Sequence, residues 1–313
     1  MPQHPPGEPL PHRPVLYHEI ITALQPRRAG KYVDCTVGAV GHAWGILESS
    51  QPDGVLLGLD VDAQALQLAR QRLTPFGARA ILLHASYTTL TEQLGALGWA
   101  KVDGILLDLG VSSMQLDTPG RGFSFQEDAP LDMRFDTANP LCAADLVNGL
   151  SEVELADLLF RYGEERRARQ VARVIVAARP IETTRRLAEV VAGVTGSGRP
   201  GMHPATRTFQ ALRIATNREL ASLESVLPQA SSALISGGRL AIIAFHSLED
   251  RIVKQYFRRE SHDCLCPPRQ PLCTCGHRAS LRAITRTPIR PSERENAENP
   301  RSRSARLRVA ERL

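Results

Sequence analysis

The sequence predicts a doubly wound α/β fold interrupted by a mainly helical second domain, and three observations carry that expectation. Short apolar runs alternate with helix-patterned segments in the first third of the chain. A long stretch after Gly110 shows helical periodicity with no strand pattern, and a further apolar run follows it near Arg239. Strands that alternate with helices imply a parallel sheet covered on both faces, resumed here after an insertion.

The first apolar runs are Lys31 to Thr36, Gly54 to Asp60, Arg79 to His84 and Val102 to Leu109. The first meets a turn at Gly38-Ala39-Val40-Gly41-His42, and a short helix through Trp44 and Leu47 follows. Asp62 has the place of an N-cap for a helix with Ala65, Leu66, Ala69 and Leu73 on one face. Gln115 to Asn139 is rich in Gly, Pro, Asp and aromatic residues without a clear period, and reads as an ordered functional loop. Helical periodicity runs from Leu141 to about Gly193, with Leu155, Leu158 and Leu159 in one segment and Val171, Val174 and Ile175 in the next. A loop from Gly193 to Pro204 precedes another helical stretch, from about Ala205 to Ile235. Arg239 to Phe245 suits a buried strand, and Leu248 to Arg259 is helical. The expected organisation is a disordered lead over 1–14, a sheet domain from 15–114 and 216–313 with a basic tail, and a helical insertion over 115–215.

A chain of 313 residues can bury a full core, and 42% hydrophobic with 23% charged residues is a soluble composition. No apolar run is long enough for a membrane span, and the proline-rich lead lacks a signal peptide's apolar stretch, so a cytoplasmic protein with free thiols is expected. The net charge of +5 is uneven: Arg251 to Leu313 holds 15 Lys+Arg against 6 Asp+Glu, or +9, leaving −4 for the rest. Such asymmetry suits phosphate binding and suits a solvated basic surface equally. Arg301, Arg303, Arg306 and Arg308 look too irregularly spaced for a core face and are expected to touch phosphate.

Ligands of doubly wound sheets bind outside the carboxyl ends of the strands. The Gly38 to Gly41 turn lets the backbone approach a ligand, and Asp60, ending the second run, can accept hydrogen bonds from ribose hydroxyls. The turn lacks the further glycines of a dinucleotide fingerprint, so an adenosyl ligand without phosphate fits better than NAD, although another nucleotide stays open.

Several segments resemble one family: His12 to Leu16, Asp103 to Ser113, Arg121 to Phe125, Leu131 to Arg134, Tyr162 to Arg166, His203 to Leu220, Phe245 to Arg251 and Asn299 to Ala305. The resemblance is to ribosomal small-subunit methyltransferase H, the 16S rRNA cytosine-N4 enzymes. It implies a Rossmann-like class I methyltransferase sheet, S-adenosylmethionine as cofactor, and 16S rRNA or the small ribosomal subunit as partner. By position it puts the cofactor contacts on Val40, Gly41, His42, Asp60, Tyr87, Asp108 and Gln115. The family usually has glycine at Val40; a β-branched residue is expected to hold φ negative there and narrow the backbone's approach, and restoring glycine should raise cofactor affinity if the side chain crowds the ligand. Phenylalanine is commoner at Tyr87, where either ring can lie against adenine. Methyltransfer to another RNA or protein, or a non-catalytic assembly factor with this fold, are the alternatives.

Methylating an amino nitrogen whose lone pair is delocalised demands in-line alignment and a hydrogen-bond acceptor for N4–H. Asp108, after the fourth strand, is placed to be that catalytic acceptor as well as a cofactor contact. Methylation at C5 needs a cysteine nucleophile, and no cysteine follows a catalytic strand, which favours direct N4 transfer without metal or covalent intermediate. On the RNA side, Phe123, Phe125, Arg121 and Arg134 suit a pocket for a splayed base, unless the phenylalanines merely anchor their loop. Arg207 and Arg213 flank Phe209 on the same helix, where surface solvation is an equal reading. Asn217 has an amide able to read a base edge, and His246 ends the last strand beside the active site. Ser247 with Asp250 resembles a capping box. Cys264-x-Cys266 and Cys273-x-Cys275, flanked by His262 and His277, offer zinc ligands, but the spacing is atypical and the reading favours idle thiols.

Overall fold

The computed structural model describes residues 14–118, 120–195, 203–267, 270 and 272–313; the lead over 1–13 and most of the expected Gly193 to Pro204 loop lie outside the described residues. The chain divides into two compact units, one formed up to Gly110 and again by Ser222–Leu313, the other by Val111–Ala221. The sequence reading placed the divisions at 114/115 and 215/216.

The first unit holds a seven-stranded sheet: β1 (Lys31–Asp34), β2 (Val55–Asp60), β3 (Ala80–His84), β4 (Val102–Asp108), β5 (Leu234–Ala244), β6 (Leu281–Ala283) and β7 (Arg306–Arg312). Their order is 3-2-1-4-5-7-6; β1 to β5 are parallel, and β7 runs antiparallel between β5 and β6. This is the doubly wound, Rossmann-like sheet that the sequence predicts. Alternate residues sort to its two faces: Val33, Leu57, Leu59, Ile105 and Leu107 join one buried cluster, and Tyr32, Leu56 and Leu106 the other. Burial on both faces is why these runs are continuously apolar. Helices α1 (Tyr17–Leu24), α2 (Gly41–Ser49), α3 (Ala63–Arg72) and α4 (Leu90–Ala96) belong to this unit. Asp62 caps α3 by accepting the Gln64 N–H at 3.0 Å, and Ala65, Leu66 and Ala69 are buried along it.

The second unit contains α5 (Ser113–Asp117), α6 (Ala143–Gly149), α7 (Glu152–Gly163), α8 (Ala168–Ala177), α9 (Thr184–Thr195) and α10 (Thr206–Asn217). It has its own buried cluster, with Leu155, Leu158, Leu159, Val171 and Ile175 at the expected positions. The loop expected from Gln115 instead begins within α5, and α9 runs two residues past Gly193. The stretch from Ala205 to Ile235 is two helices, because Arg218 takes a left-handed φ of 52° between α10 and α11 (Glu219–Ala233). Helices α12 (Ser247–Glu260) and α13 (Glu293–Glu298) follow in the first unit.

Two strand readings need correction. β5 starts at Leu234, five residues before the expected Arg239, with a register irregularity around Gly237 at φ 80°. Its Ser236-Gly237-Gly238 segment looks like a turn in sequence and hides the strand. More consequentially, the basic tail is not a tail. β7 is internal to the sheet, Leu307 and Val309 are fully buried, and Arg308 is 6% exposed. Arg308 Nε donates to Asp250 Oδ1 at 2.6 Å and Arg306 Nη1 to Asp250 Oδ2 at 3.1 Å, so two of the four arginines expected on phosphate neutralise a carboxylate instead. Arg301 and Arg303 lie exposed on the 3₁₀ turn Pro300–Ser304. The alternation Arg306-Leu307-Arg308-Val309 is a strand period, misread as irregular spacing. No helix among the described residues is long and apolar enough to cross a membrane.

Candidate active site

The site is built at the carboxyl ends of β1, β2 and β4, adjacent strands in the sheet. After β1 the chain turns through Gly38 (φ 45°) and Val40 (φ 67°) into α2, a path closed by the Val40 N–H on the Val37 carbonyl at 2.8 Å. Asp60 braces this turn from β2: its Oδ2 accepts the Gly38 N–H and its Oδ1 the Asp62 N–H, both at 2.9 Å. A carboxylate has about four acceptor positions, so each oxygen keeps capacity for a ligand hydroxyl. A Cβ on Gly41 would sit 1.9 Å from Pro14 Cγ, so only glycine fits there.

Val40 departs from expectation. The residue does not hold φ negative; it occupies the left-handed region, where glycine is usual. Its side chain is 1% exposed within the cluster of Leu16, Val37, Ile46 and Leu47, packed into the core of the unit instead of narrowing a ligand's approach.

Three carboxylates end the three strands. Asp34, which sequence reasoning passed over, is 2% exposed, accepts the Thr36 N–H at 3.1 Å, and is pushed up to about 7 by burial, with the Asp60 charge adding. Burial also raises Asp60, against the opposing Asp62 and Gly38 N–H groups. Asp108 is raised well above the carboxylate range by burial first, then by the charges of Asp34 and Glu249. Its N–H donates to Thr36 Oγ1 at 2.8 Å, which ties β4 to the β1 turn. Asp108 Oδ1 is buried with no hydrogen-bond partner among the described residues, while Oδ2 lies 3.6 Å from His42 Nδ1. His42 is lowered to about 4 by burial, and its Nε2 lies 3.0 Å from the Val15 carbonyl. That carbonyl assigns the proton to Nε2, so Nδ1 is an acceptor and the ring is neutral at pH 7; His42 and Asp108 are not an ion pair. The signal for Asp34 was present in sequence, as an acid at a strand end like Asp60.

Tyr87 opens a 3₁₀ turn capped by Ser86 and packs, partly buried, against the sheet cluster. Gln115 belongs to the second unit, 7% exposed at the third position of α5. Its Oε1 accepts the Ser112 N–H at 3.1 Å and its own N–H reaches Ser112 Oγ at 3.2 Å, a capping box.

Most residues expected to read RNA have structural partners. The Asn217 amide is spent on backbone: Oδ1 accepts the Phe135 N–H at 2.7 Å, and Nδ2 donates to the Met133 and Arg213 carbonyls at 2.7 and 2.9 Å. It clamps the loop to α10 and presents no edge to a base. Arg134 forms a two-point pair with Asp132 at 2.7 and 2.9 Å and donates to the Thr137 and Asn139 carbonyls. Phe123 stacks on Phe135, and Phe125 packs on His203 and Phe209, so both rings anchor the loop. Arg213 pairs with Glu219 at 2.8 Å. His246 caps α12, with Glu249 as its capping-box partner; the box lies one residue earlier than Ser247 and Asp250, because Asp250 faces Arg306 and Arg308. His246 Nε2 lies 3.2 Å from Glu249 Oε1 but is too poorly aligned to be a hydrogen bond, and it is otherwise without a partner among the described residues.

Known proteins resemble this chain over nearly its whole length. The MraW methylase family matches residues 9–313. A protein of Dehalococcoides mccartyi named ribosomal RNA small subunit methyltransferase H is 52% identical over 303 residues, covering 97% of this chain and 87% of that one. The protein of the same name from Thermomicrobium roseum is 53% identical over 305 residues, covering 96% and 94%. A solved rRNA methylase from Streptococcus thermophilus aligns at a TM-score of 0.42 and 11% identity, over 95% of this chain and 93% of that one. With nearly its whole length matched, and a strand-end site of the kind a nucleoside cofactor requires, this chain belongs to the MraW methylase family.

Proposed function

We propose that the protein transfers a methyl group from S-adenosylmethionine to N4 of a cytosine in the decoding region of 16S rRNA. The observation that carries this reading is Asp108 Oδ1, a buried carboxylate oxygen at the end of β4 without a hydrogen-bond partner among the described residues. Such an atom suits an N–H donor brought by a ligand.

S-adenosylmethionine, when bound, supplies a methyl group made electrophilic by its sulfonium. Asp60 would hold the ribose hydroxyls with the acceptor capacity left on its two oxygens, and the Tyr87 ring would lie against adenine. Val40, Gly41 and His42 line the turn that admits the ligand to the backbone, and Gln115 is a contact that the family resemblance implies. Asp108 would orient the cytosine amino group through N4–H, its unpartnered Oδ1 accepting that hydrogen bond as the bond to carbon forms. His246 follows β5, whose Ile243 is in register with Asp108, and its Nε2 would contact the base. Arg134 acts on RNA only through the loop it holds.

Nitrogen rather than carbon as the target is supported by the thiols. Cys35 is 1% exposed in the sheet core and raised by burial, so it is no nucleophile. The relatives' name supports small-subunit rRNA as substrate, and recognition of it is assigned to the Val111–Ala221 unit.

The test is product analysis. Small subunits carrying unmodified 16S rRNA are incubated with labelled S-adenosylmethionine, and the nucleosides are separated by mass spectrometry. N4-methylcytidine is expected; label in 5-methylcytidine or on ribose would sink the assignment, and no label would leave methyltransfer to another substrate or a non-catalytic assembly factor. Asp108→Asn should lower kcat at least about 100-fold, the typical worth of a positioned proton acceptor.

A further inference from the structure

We propose that Cys264, Cys266, Cys273 and Cys275 form a structural zinc site, separate from the strand-end acids. The described residues between the end of α12 and β6, 261–267, 270 and 272–280, are tied at their base: the Ser280 N–H donates to the Glu260 carbonyl at 2.8 Å and the Ala279 N–H to Asp263 Oδ1 at 3.1 Å. Among these described residues the apolar side chains are not buried: Leu265 and Leu272 are 45% and 77% exposed. A segment without a core of its own needs another constraint to keep one shape.

The four sulfurs supply the geometry for one. All lie within 4.8 Å of one another. Cys264 to Cys273 is 3.5 Å, Cys273 to Cys275 is 3.6 Å, and Cys275 to Cys264 is 3.9 Å. A regular tetrahedron with zinc–sulfur bonds of about 2.3 Å has sulfur–sulfur edges of about 3.8 Å. A disulfide would bring two sulfurs to about 2.05 Å, and the structure joins none of these thiols in one.

Backbone donors reinforce the cluster. The Leu265 N–H points at Cys275 Sγ at 3.3 Å, the Thr274 N–H at Cys266 Sγ at 3.4 Å, and the Cys266 N–H at Cys264 Sγ at 3.4 Å. N–H groups aimed at sulfur favour thiolate charge and fix the ligands' orientation as outer partners of a metal do. His262 and His277 each place a ring nitrogen near a main-chain carbonyl of the last turn of α12, so the sulfurs alone form the donor set. Four thiols bind one divalent ion with release of four protons, giving a site of charge −2. An all-sulfur tetrahedral set selects zinc over magnesium or calcium, with mononuclear iron the other soft-ligand candidate. The geometry thus outweighs the unusual C-x-C spacing, which on sequence alone favours idle thiols.

The test uses the full chain produced with zinc in the medium and purified without chelator or metal-affinity tag. Elemental mass spectrometry should find about one zinc per chain. Cys264→Ser with Cys273→Ser should abolish it, and Cys142→Ser should retain it. If the double variant does not fold, the wild-type stoichiometry still decides. Less than about a tenth of an equivalent of zinc, or four rapidly modified thiols in the zinc-grown protein, would overturn the site. Iron with thiolate absorption in place of zinc would overturn the metal assignment.

Discussion

Val40 joins two opposed effects in one residue. Its left-handed backbone costs about 1–2 kcal/mol, whereas burying its side chain contributes about 1.5–3 kcal/mol. Val40→Gly relieves the first, loses the second and adds about 0.5–1 kcal/mol of backbone entropy, so urea unfolding should report a net loss of about 1–2 kcal/mol. S-adenosylmethionine affinity by calorimetry should stay within about twofold, because the buried side chain leaves the ligand's path clear. A tenfold gain would mean that the valine crowds the ligand after all. Asp60→Ala, by contrast, removes a charged acceptor worth roughly 1.5–3 kcal/mol and the brace on Gly38; affinity should fall at least about tenfold. Unchanged affinity would remove Asp60 from the site. Asp60 and Gly41 were legible because strand ends and tight turns announce themselves locally. Asn217 and Arg134 were not, because a side-chain amide or guanidinium reads the same whether its partner is a base edge or a main-chain carbonyl 84 residues away, as Met133 is from Asn217.

Among the elements, β7 changes most between sequence and structure. The apolar runs of β1 to β4 were readable because both their faces are buried, while β7 carries arginines at positions that pair with Asp250 from α12. A charged residue inside a strand advertises solvent unless its counter-charge, here 58 residues distant, is known. Truncation after Glu298 would remove β7, depriving β5 of one neighbour and Asp250 of Arg306 and Arg308; loss of cooperative unfolding is expected. Asp250 gives the sharper test. Burial pushes its carboxyl up, but Arg308 and Arg306 more than offset this and hold it below its ordinary value. A depressed folded pKa contributes stability above the unfolded value that is lost as pH falls through the folded one. Asp250→Asn should therefore cost about 3 kcal/mol at pH 7 and progressively less below about pH 4, measured by urea unfolding across pH. A gap independent of pH would assign the effect to packing alone. Charge reversal at exposed Arg303 remains the right probe of phosphate contact, through the salt dependence of RNA binding.

Stability of the whole molecule feels the strand-end acids with the opposite sign. Asp34, Asp60 and Asp108 are all raised by burial, so the folded state holds their protons more tightly than the unfolded chain. Between about pH 4 and 7 the unfolded state releases protons first, and stability falls as pH rises. Asp34 alone, at about 7, accounts for at most ~4 kcal/mol of that decline. Unfolding free energy should be higher near pH 5 than near pH 7, and Asp34→Asn should flatten the slope; an unchanged slope would show that Asp34 ionises freely. The topology also sets the order in which the chain assembles. β4 and β5 are hydrogen-bonded neighbours, Leu106 opposite Ala241, yet the whole of Val111–Ala221 separates them in sequence. Closing so long a loop adds little to the equilibrium cost, since that cost grows only logarithmically, but long-range pairing slows folding. The helical unit, with its own core and contacts close in sequence, can form while β4 still waits for β5. Joining those two strands is then expected to limit the rate of refolding, and until it occurs Leu240 to Ala244 would present an apolar edge, unpaired on the β4 side and open to association with other chains; refolding yield should fall as protein concentration rises.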